Sequence, residues 1–497
     1  MYRLIFVLLL GGILTSCDNF LTRYSISDVP ASSFPSSESD AQSIITGMYD
    51  AIQNALETNY FYWGDMRSDV IERNGTNGDI HLLFNTLSPS HATANWNNLY
   101  KVTLSANIVI KYIPNLEGDE NNKNRMLAEA YTARAWMYFY AVRVWGRVPL
   151  ILEPYENKEG QKLYYPREDL SVIYGQIESD LKEAIRLFGI QKPVSCYEFS
   201  RGMASAVLTD FYMWINDYPK AIETSEFFIN KSTNSYGYAK GNDWKNIFVD
   251  PKNSDENIYV LYWDYASDNT HEIIKQIGGG KSNNAQIKIS KRVWDKFIQR
   301  KNWDKRFALS LDTVNYFELY DEKSLDESAY SSFAKLETNY CAKWLTLDSE
   351  GKYPRIDGTK ADYKIPMYRY TGIMLLRAEA LARRNEGNDL QNAISIVNDV
   401  RNRFEGAPLL SGNETQTDVI NLIEEERILE LWGEGTRWFD LVRTGRAKSV
   451  MDDVFINDRD IPEGFGDEQY ILWPIHQSAF SANPELVGDQ NPGYVEG

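Results

Sequence analysis

The sequence predicts a mainly α-helical protein: a tetratricopeptide-like scaffold of helix pairs with a long loop-rich insertion and little strand. Apolar residues recur at helical spacing, as in Ala41, Ile44, Ile45, Met48, Ile52 and Leu56. Ala-Ile pairs at 184–185 and 221–222, about 37 residues apart, and again at 393–394 are typical of helix repeats with a period of about 34 residues. Generic antiparallel helices with Ala at their contacts remain an alternative.

The N-terminus predicts export and a lipid anchor. Arg3 precedes a short apolar run from Leu4 to Ile13, and Leu14-Thr15-Ser16 then leads to Cys17. This order is typical of a secretory signal peptide, and a Cys directly after small residues matches the bacterial lipobox. We expect residues 1–16 to be a lipoprotein signal peptide and Cys17 to become the lipidated mature N-terminus. An ordinary signal peptide with a coincidental Cys is the alternative.

The remaining chain is predicted to form one domain, residues 39–497, behind an extended arm at 17–38. The arm is polar and carries Pro30 and Pro35. Ser39-Asp40-Ala41-Gln42 resembles a capping box that would start the first helix. Further helices are expected at about 92–113, 122–145, 168–188, 200–216 and 218–231.

Residues 233–360 differ in composition from the helical scaffold, which is expected at about 39–232 and 361–448. They are rich in Asn, Asp, Gly, Lys and Tyr, and alternating apolar residues predict one strand at Asn257–Trp263. We interpret them as an irregular insertion in which helix returns near 290–300, the kind of segment that often carries function. After it, we expect helices at 366–385, Asp418–Gly433 and Gly435–Gly445, and an irregular tail at 449–497.

Composition and charge exclude some partners and anchors. The chain has 70 Asp and Glu against 52 Lys and Arg, which argues against nucleic acid as a partner because phosphate binding needs clustered basic residues. No second apolar run is long enough to span a bilayer, so the lipid is the expected anchor. After Cys17 only Cys196 and Cys341 remain, and both one disulfide and two free thiols are open.

No catalytic or metal-binding pattern stands out in the sequence. The four His are scattered without zinc-site spacing, and there is neither a G-x-S-x-G elbow nor a phosphate loop. We therefore predict no enzyme activity, no cofactor and no metal. Glu424 to Glu426 predict a solvated or ion-paired helix face. Structural pairs, buried or half-buried, are expected at Glu430, Glu434, Arg437 and Asp440.

Two stretches have the composition of a ligand-binding loop. Sugar rings stack on Tyr and Trp, and sugar hydroxyls bond to Asn, Asp and Arg side chains. The first stretch leads from residue 60 into an Asn- and Gly-rich loop at 73–91, and the second runs from 263 to 284. Core packing is the alternative for each aromatic. The candidate ligand-binding residues are Tyr60, Tyr62, Trp63, Asp65, Arg67, Asp69, Arg73, Asn74, Asn85, Trp263, Tyr265 and Asn283.

Motifs spread along the chain agree in order with those of one known family. They are Cys17-Asp18-Asn19-Phe20-Leu21, Gly47-Met48-Tyr49, Trp145-Gly146-Arg147-Val148-Pro149, Glu426-Arg427-Ile428-Leu429-Glu430-Leu431, Gly435-Thr436-Arg437-Trp438-Phe439-Asp440-Leu441 and Trp473-Pro474-Ile475. Over its whole length the sequence resembles the SusD/RagB family of Bacteroidetes surface lipoproteins. One departure is His476, where the family usually has a second Pro.

The resemblance implies a SusD-like fold with a loop-rich, ligand-binding side. It also implies a protein lipid-anchored in the outer membrane, facing the cell exterior, that binds an oligomeric nutrient and acts as the lid of a SusC-like TonB-dependent transporter. Relatives often carry a Trp in the first loop, whereas this chain has Phe84-Asn85-Thr86-Leu87, so an oligosaccharide other than starch, or a peptide, stays open. The alternatives are a peptide-binding RagB-like lid, a helical-repeat assembly scaffold and a surface hydrolase.

Overall fold

The computed structural model describes residues 35–73, 79–156, 159–189, 195–264, 277, 287–311, 341–346, 349, 351 and 363–496. The predicted signal peptide, Cys17 and most of the predicted arm lie outside these residues. Within them the chain is mainly α-helical with little strand, as predicted.

Seventeen α-helices lie within the described residues. They are α1 (Glu38–Leu56), α2 (Asn59–Gly64), α3 (Ile80–Leu83), α4 (Asn97–Tyr112), α5 (Glu120–Trp145), α6 (Leu170–Phe188), α7 (Arg201–Trp214), α8 (Tyr218–Ile229), α9 (Asn246–Val249), α10 (Lys291–Arg300), α11 (Arg306–Ser310), α12 (Tyr370–Arg384), α13 (Asp389–Arg401), α14 (Gln416–Leu431), α15 (Arg437–Arg443), α16 (Ala447–Asp458) and α17 (Gln477–Ala482). The strands are β1 (Ile71–Arg73), β2 (Asn257–Tyr262), β3 (Ile287–Ile289) and β4 (Lys364–Arg369).

The scaffold is a succession of helices that pack against one another along the chain. Helix α1 packs on α4, α4 on α5, and the series continues through α6, α7 and α8 to α12. Helices α13 and α14 then pack on α12. Ala184, Ala221 and Ala393, the small residues of the predicted Ala-Ile pairs, are fully buried in α6, α8 and α13. Their small side chains let neighbouring helices approach closely, so the predicted scaffold of packed helix pairs is confirmed.

The first helix begins earlier than its predicted capping box. Ser37 is the N-cap, in an extended conformation, and its hydroxyl accepts a hydrogen bond from the Asp40 N–H at 3.1 Å. Ser39 is therefore already inside α1. Ser36, Ser37 and Ser39 are close together in the sequence, and the extended backbone conformation at Ser37 identifies it as the N-cap.

The segment predicted as one helix at 366–385 is divided between a strand and a helix. Residues 364–369 form β4, which pairs antiparallel with β2, and α12 starts only at Tyr370. Pro366 lies opposite Val260 in this ladder. Proline lacks an N–H and disfavours a helix interior, but it is tolerated in an edge strand, and both strands of a two-stranded sheet are edges.

The predicted irregular tail at 449–497 is wrong in its first part. Helix α16 continues to Asp458 because Ala447, Met451, Val454 and Phe455 recur on one face and are buried. A second, short helix follows at α17. The described parts of the insertion also hold regular structure, namely β2, β3 and the helices α9, α10 and α11.

Buried charges join the insertion to the helical scaffold. Arg306 is fully buried and donates hydrogen bonds to Glu430 at 2.9 Å and to Glu426 at 2.8 Å. Burial alone would raise the pKa of Glu426, but the guanidinium of Arg306 and two further Arg groups outweigh it and lower the pKa to about 2. The buried ion-pair cluster, as we call it, comprises Glu256, Asp304, Arg306, Arg369, Arg403, Glu426 and Glu430.

Candidate ligand-binding site

The two strands that border the predicted ligand-binding stretches pair in one small sheet. Strand β1 pairs antiparallel with β3, with Arg73 opposite Ile287. In an antiparallel pair the chain leaves one strand and enters its partner at the same end. Arg73, where the first predicted stretch enters its loop, and Ile287, which follows the second predicted stretch, therefore lie at the same end of this sheet. We take this end of the β1–β3 sheet as the candidate site.

Side chains from the scaffold hold this sheet in place. The Val70 carbonyl accepts hydrogen bonds from the Ser290 N–H at 3.0 Å and from the Trp432 indole N–H at 3.1 Å. Ile71 and Ile289 are buried beneath it. Because Trp432 directly follows α14, the sheet is tied to the scaffold rather than to its own loops.

Two of the predicted acidic ligand-binding residues bind the motif that begins at Gly435 instead of facing solvent. The Asp65 carboxylate accepts hydrogen bonds from the backbone N–H groups of Gly435 and Arg437, both at 3.0 Å. Asp69 receives two bonds from the Arg437 guanidinium, at 2.7 and 2.9 Å. Burial raises the pKa of Asp65 to about 6. Burial also acts to raise the pKa of Asp69, but Arg437 outweighs it and the pKa lies below its ordinary value.

A close backbone contact between Gly64 and Gly435 fixes the position of Asp65 relative to the Gly435 segment. A side chain on Gly64 would place its Cβ 1.9 Å from the Gly435 carbonyl oxygen, so glycine is required there. Gly435 itself has φ +75°, a left-handed conformation that favours glycine. The segment before β1 is thus locked against the loop between α14 and α15.

Three predicted aromatic residues lie in the core. Trp63 is 1 % exposed, donates its indole N–H to the Thr93 carbonyl at 2.9 Å and packs edge-on against Trp145 at 5.3 Å. Tyr60 and Trp263 are buried as well. Ligand contact by these three residues stays a prediction, and their burial does not support it.

Arg67 and Asn85 connect the first loop to the C-terminal tail. The Arg67 guanidinium is buried 4.5 Å from the centre of the Trp438 ring, donates to the Ile471 carbonyl at 3.2 Å and also bonds the Asn85 side chain. Burial lowers the pKa of Arg67 to about 10. Asn85 donates onward to the Phe465 carbonyl at 3.2 Å. Both side chains therefore have partners within the protein, and their predicted contact with a ligand stays a prediction.

The other candidates divide into two groups. Tyr62 and Arg73 are half-buried, and Arg73 stands at the loop end of β1. Asn74, Tyr265 and Asn283, like the lipidation residue Cys17, lie outside the described residues.

An open groove of about 700 Å³ lies beside the sheet, between α10, α14 and α16. Its walls carry charges of both signs that pair with one another, for example Arg437 with Glu424 at 2.7 Å and Arg292 with Asp453 at 2.6 Å. Among the described lining residues there is no aromatic ring. The groove thus offers hydrogen-bonding and charged groups without a stacking face, which suits a charged chain better than a sugar ring.

Of the predicted ligand-binding residues that the structure describes, only Asp69 lines this groove. Arg292 and Lys296 belong to α10, whereas Arg446 directly precedes α16, and no local pattern in the sequence links these two segments. The structural pairs expected at Glu430, Glu434, Arg437 and Asp440 are confirmed, since all four side chains are buried and ion-paired.

The described residues contain no group of His, Cys, Asp and Glu arranged to hold a metal ion. No helix described here is both long and apolar enough to cross a bilayer. Cys341 is buried and Cys196 half-buried, and both are free thiols, which decides between the two alternatives left open by the sequence.

Two family profiles match complementary parts of the sequence. The profile described as "SusD family" matches residues 228–494, more than half of the chain. The profile described as "Starch-binding associating with outer membrane" matches residues 19–213. Proteins of the SusD family bind nutrients without catalysing a reaction, which confirms the expectation of a binding protein rather than an enzyme.

Individual relatives match over almost the full length. SusD-like protein P38 from Formosa agariphila is 28% identical over 520 residues, which cover 98% of each chain. A solved structure described as a laminarin binding SusD-like protein is 22% identical with a TM-score of 0.72, covering 92% of this chain and 100% of the other. A SusD superfamily protein from Bacteroides thetaiotaomicron has a TM-score of 0.73 at 21% identity, with 92% and 100% coverage.

Proposed function

This chain belongs to the SusD family, and from that premise we propose that it is a surface-exposed lipoprotein that binds an oligomeric glycan and acts as the lid of a SusC-like TonB-dependent outer-membrane transporter. The proposal goes beyond family membership in three points: the class of nutrient, the partner and the place of binding. Each has its own support.

The place of binding is supported by the pairing of β1 with β3. This pairing places Arg73, where the first predicted stretch enters its loop, opposite Ile287, which follows the second predicted stretch. Both loops are rich in the residue types that bind sugars, including the candidates Asn74, Tyr265 and Asn283. This juxtaposition is the observation that carries the proposal.

A glycan is supported by the aromatic and amide content of these loops. A structural relative is named for laminarin binding, and one matching family description names starch. The first loop of this chain lacks a Trp, so we place the ligand among glycans other than starch.

The anchor and the partner follow from the N-terminus and the family. Lipid on Cys17 would hold the protein at the outer membrane, in line with the family description of association with that membrane. The predicted arm at 17–38 would separate the lipid from the domain.

A peptide-binding lid is the second candidate, and the charged groove favours it. A peptide carries charged side chains and backbone groups that the groove could pair with, and it does not require an aromatic face. In that case ligand contacts would come from α10, α14 and α16 rather than from the two loops.

Calorimetry separates these candidates. The mature chain without its lipid is titrated with laminarin, starch, host-type glycans and a mixture of peptides, and the products are analysed on the same samples. We expect binding to one glycan class without turnover, and a loss of binding in the double variant Tyr265→Ala and Asn283→Ala. Tyr164→Ala is the matched control, because Tyr164 is an exposed tyrosine, 45% accessible, in another segment.

Binding of peptides alone would replace the first candidate by the second. The partner is tested separately, by purifying the full-length lipoprotein from membranes and identifying what accompanies it. We expect a TonB-dependent barrel, and we expect Cys17→Ala to move the protein out of the membrane fraction. Absence of both ligand binding and a barrel would overturn the proposed function.

A further inference from the structure

A cavity of about 60 Å³ lies within the helical scaffold, between α5, α7, β4, α12 and α15. Half-buried side chains are part of its lining, among them Trp214, Tyr368 and Thr436, so it reaches the surface. One water needs about 10–15 Å³ of such space, which gives room for about four to six waters. We propose that this cavity is a further ligand site, which binds one uncharged sugar unit through Arg143, Asp210 and Thr436.

Arg143 on α5 supplies a buried guanidinium to the lining of this cavity. Its side chain is 5% exposed, and the guanidinium lies 3.9 Å from the centre of the Phe139 ring and 4.2 Å from that of the Phe439 ring. The Nε atom is buried and has no hydrogen-bond partner among the described residues. A buried donor without a partner is costly, so a ligand oxygen that accepts this bond is favoured. Because the rings already hold the guanidinium, binding orders little further.

Asp210 and Thr436 supply the other polar groups that a sugar needs. Asp210 Oδ2 accepts hydrogen bonds from Arg143 Nη1 at 3.2 Å and from the Tyr368 hydroxyl at 2.9 Å. Both bonds go to the same oxygen, so Oδ1 remains as an acceptor. Thr436 is the N-cap of α15, yet its hydroxyl makes no capping hydrogen bond. A guanidinium beside a carboxylate offers a donor and an acceptor together, which suits two neighbouring hydroxyls.

The charges of the lining favour a ligand without charge. Three further arginines line the cavity, and each has a carboxylate partner. The pairs are Arg427 with Asp440 at 2.9 Å, Arg443 with Glu379 at 2.6 Å and Arg369 with Glu434 at 2.7 Å. An ionic ligand would have to displace one of these buried pairs, whereas a neutral ligand needs only hydrogen bonds.

Apolar and aromatic side chains complete the lining. Tyr140, Trp214, Tyr368 and Phe439 contribute to it, and the carbon-bound faces of a sugar ring bind well to such surface. Few polar groups in a mainly apolar cavity are typical of small-molecule sites. Among the described residues, no predicted ligand-binding residue lines the cavity, so the inference goes beyond the proposed function.

The test uses single sugars and variants of the cavity lining. Glucose, galactose, xylose and glucuronate are titrated against the mature chain without its lipid, and binding is followed by NMR. Gly372→Leu places a side chain at the cavity, where its Cβ meets only the Leu431 side chain, at an ordinary 3.7 Å. We expect this variant to lose the binding of neutral sugars. Thr436→Val keeps the shape without the hydroxyl and should weaken binding about two- to tenfold.

Two controls separate this site from general effects and from the two loops. Gly175→Leu is the matched control, because Gly175 is an exposed glycine within α6 with nothing within 4 Å of an added Cβ. It should bind single sugars as the wild type does. The double variant Tyr265→Ala with Asn283→Ala should also keep this binding. If it loses the binding, single sugars bind at the two loops and the cavity site is overturned.

Three further outcomes would overturn the inference. Neutral sugars bound equally by the wild type and by Gly372→Leu would exclude the cavity, and glucuronate bound in their place would exclude an uncharged ligand. A wild type that binds no single sugar would also overturn the site, while the proposed function is decided by the oligosaccharide titration. If Gly372→Leu unfolds at a lower temperature than Gly175→Leu, Thr436→Val decides, and wild-type affinity in that variant counts against the site.

Discussion

Neighbouring glutamates of α14 have opposite environments on two faces of one helix. Glu426 and Glu430 point inward and are fully buried in the ion-pair cluster, bonded to Arg306. Glu424 and Glu425 are half-buried and line the open groove. Residue type and motif are the same on both faces. The difference shows that an acidic run indicates a role only when the direction of the helix face is known.

Aromatic side chains repeat the same contrast between inside and outside. Trp63 was a candidate for stacking on a ligand and lies in the core against Trp145. Tyr262 is not among the predicted ligand-binding residues, yet its side chain lies at the surface beside Tyr197. We expect buried residues to affect the stability of the protein and surface residues to affect ligand binding.

The largest effect is expected from breaking the buried cluster. Arg306→Ala removes the main partner of the buried Asp304 and one of the three Arg partners of Glu426 and of Glu430. We expect the free energy of unfolding to fall by about 3–5 kcal/mol. The matched control is Arg186→Ala, since Arg186 is 67% exposed and paired with Glu183. Urea unfolding measures both. Equal losses in the two variants would contradict the contrast between the faces.

Removing a core aromatic should have an effect of about the same size. Trp63→Ala leaves a cavity against Trp145 and deprives the Thr93 carbonyl of its donor, so we expect a loss of about 3–5 kcal/mol in unfolding free energy. Affinity of the folded fraction for a glycan should stay that of the wild type. Lower affinity with unchanged stability would return Trp63 to the ligand site.

Low pH should reduce the free energy of unfolding, because it protonates buried carboxylates that are ion-paired in the folded protein. Glu426 and Asp440 each have a pKa of about 2 in the folded protein, below their ordinary values. Their stabilisation is present above the ordinary pKa and is lost as the pH falls through about 4.5 towards about 2, a loss of about 3 kcal/mol for Glu426. Urea unfolding over a pH series measures it, and Glu426→Gln should show a flatter acid limb.

Asp65 should affect the pH dependence of stability in the opposite direction. Its pKa of about 6 in the folded protein lies above the ordinary value, so its contribution is present at low pH and is lost as the pH rises through about 6. Asp65→Asn should remove this decline between about pH 4 and pH 7 in the same series. A decline that persists in the variant would assign it to another group.

The smallest effect on stability is expected from exposed residues at the open groove. Arg446 is 44% exposed and pairs with Glu424 at the groove, so Arg446→Ala should change the free energy of unfolding by less than about 1 kcal/mol. High salt should reduce even this difference, because exposed pairs are screened. If the groove binds a peptide, the same variant should weaken that binding, which calorimetry measures.

Local pattern in the sequence determined the helical scaffold. Apolar spacing placed α1, α6 and α10 close to their observed bounds, and the Ala-Ile pairs located contacts that are buried in the structure. The structural role of Glu430 and Arg437 was also predictable, because both lie in the motifs that agree best with those of the family. A helix depends mainly on residues within a few positions of one another, so its signal is local.

Tertiary structure decided which residues face a ligand. Asp65 and Asp69 are held by Gly435 and Arg437, more than 360 residues away, and no local signal announces that pairing. The sequence predicts helix from residue 366, whereas β4 extends to Arg369. Its partner strand β2 lies about 100 residues earlier, so no local pattern indicates the pairing. Burial and strand pairing arise between distant segments, so loop composition alone did not separate the core aromatic Trp63 from the surface pair Tyr197 and Tyr262.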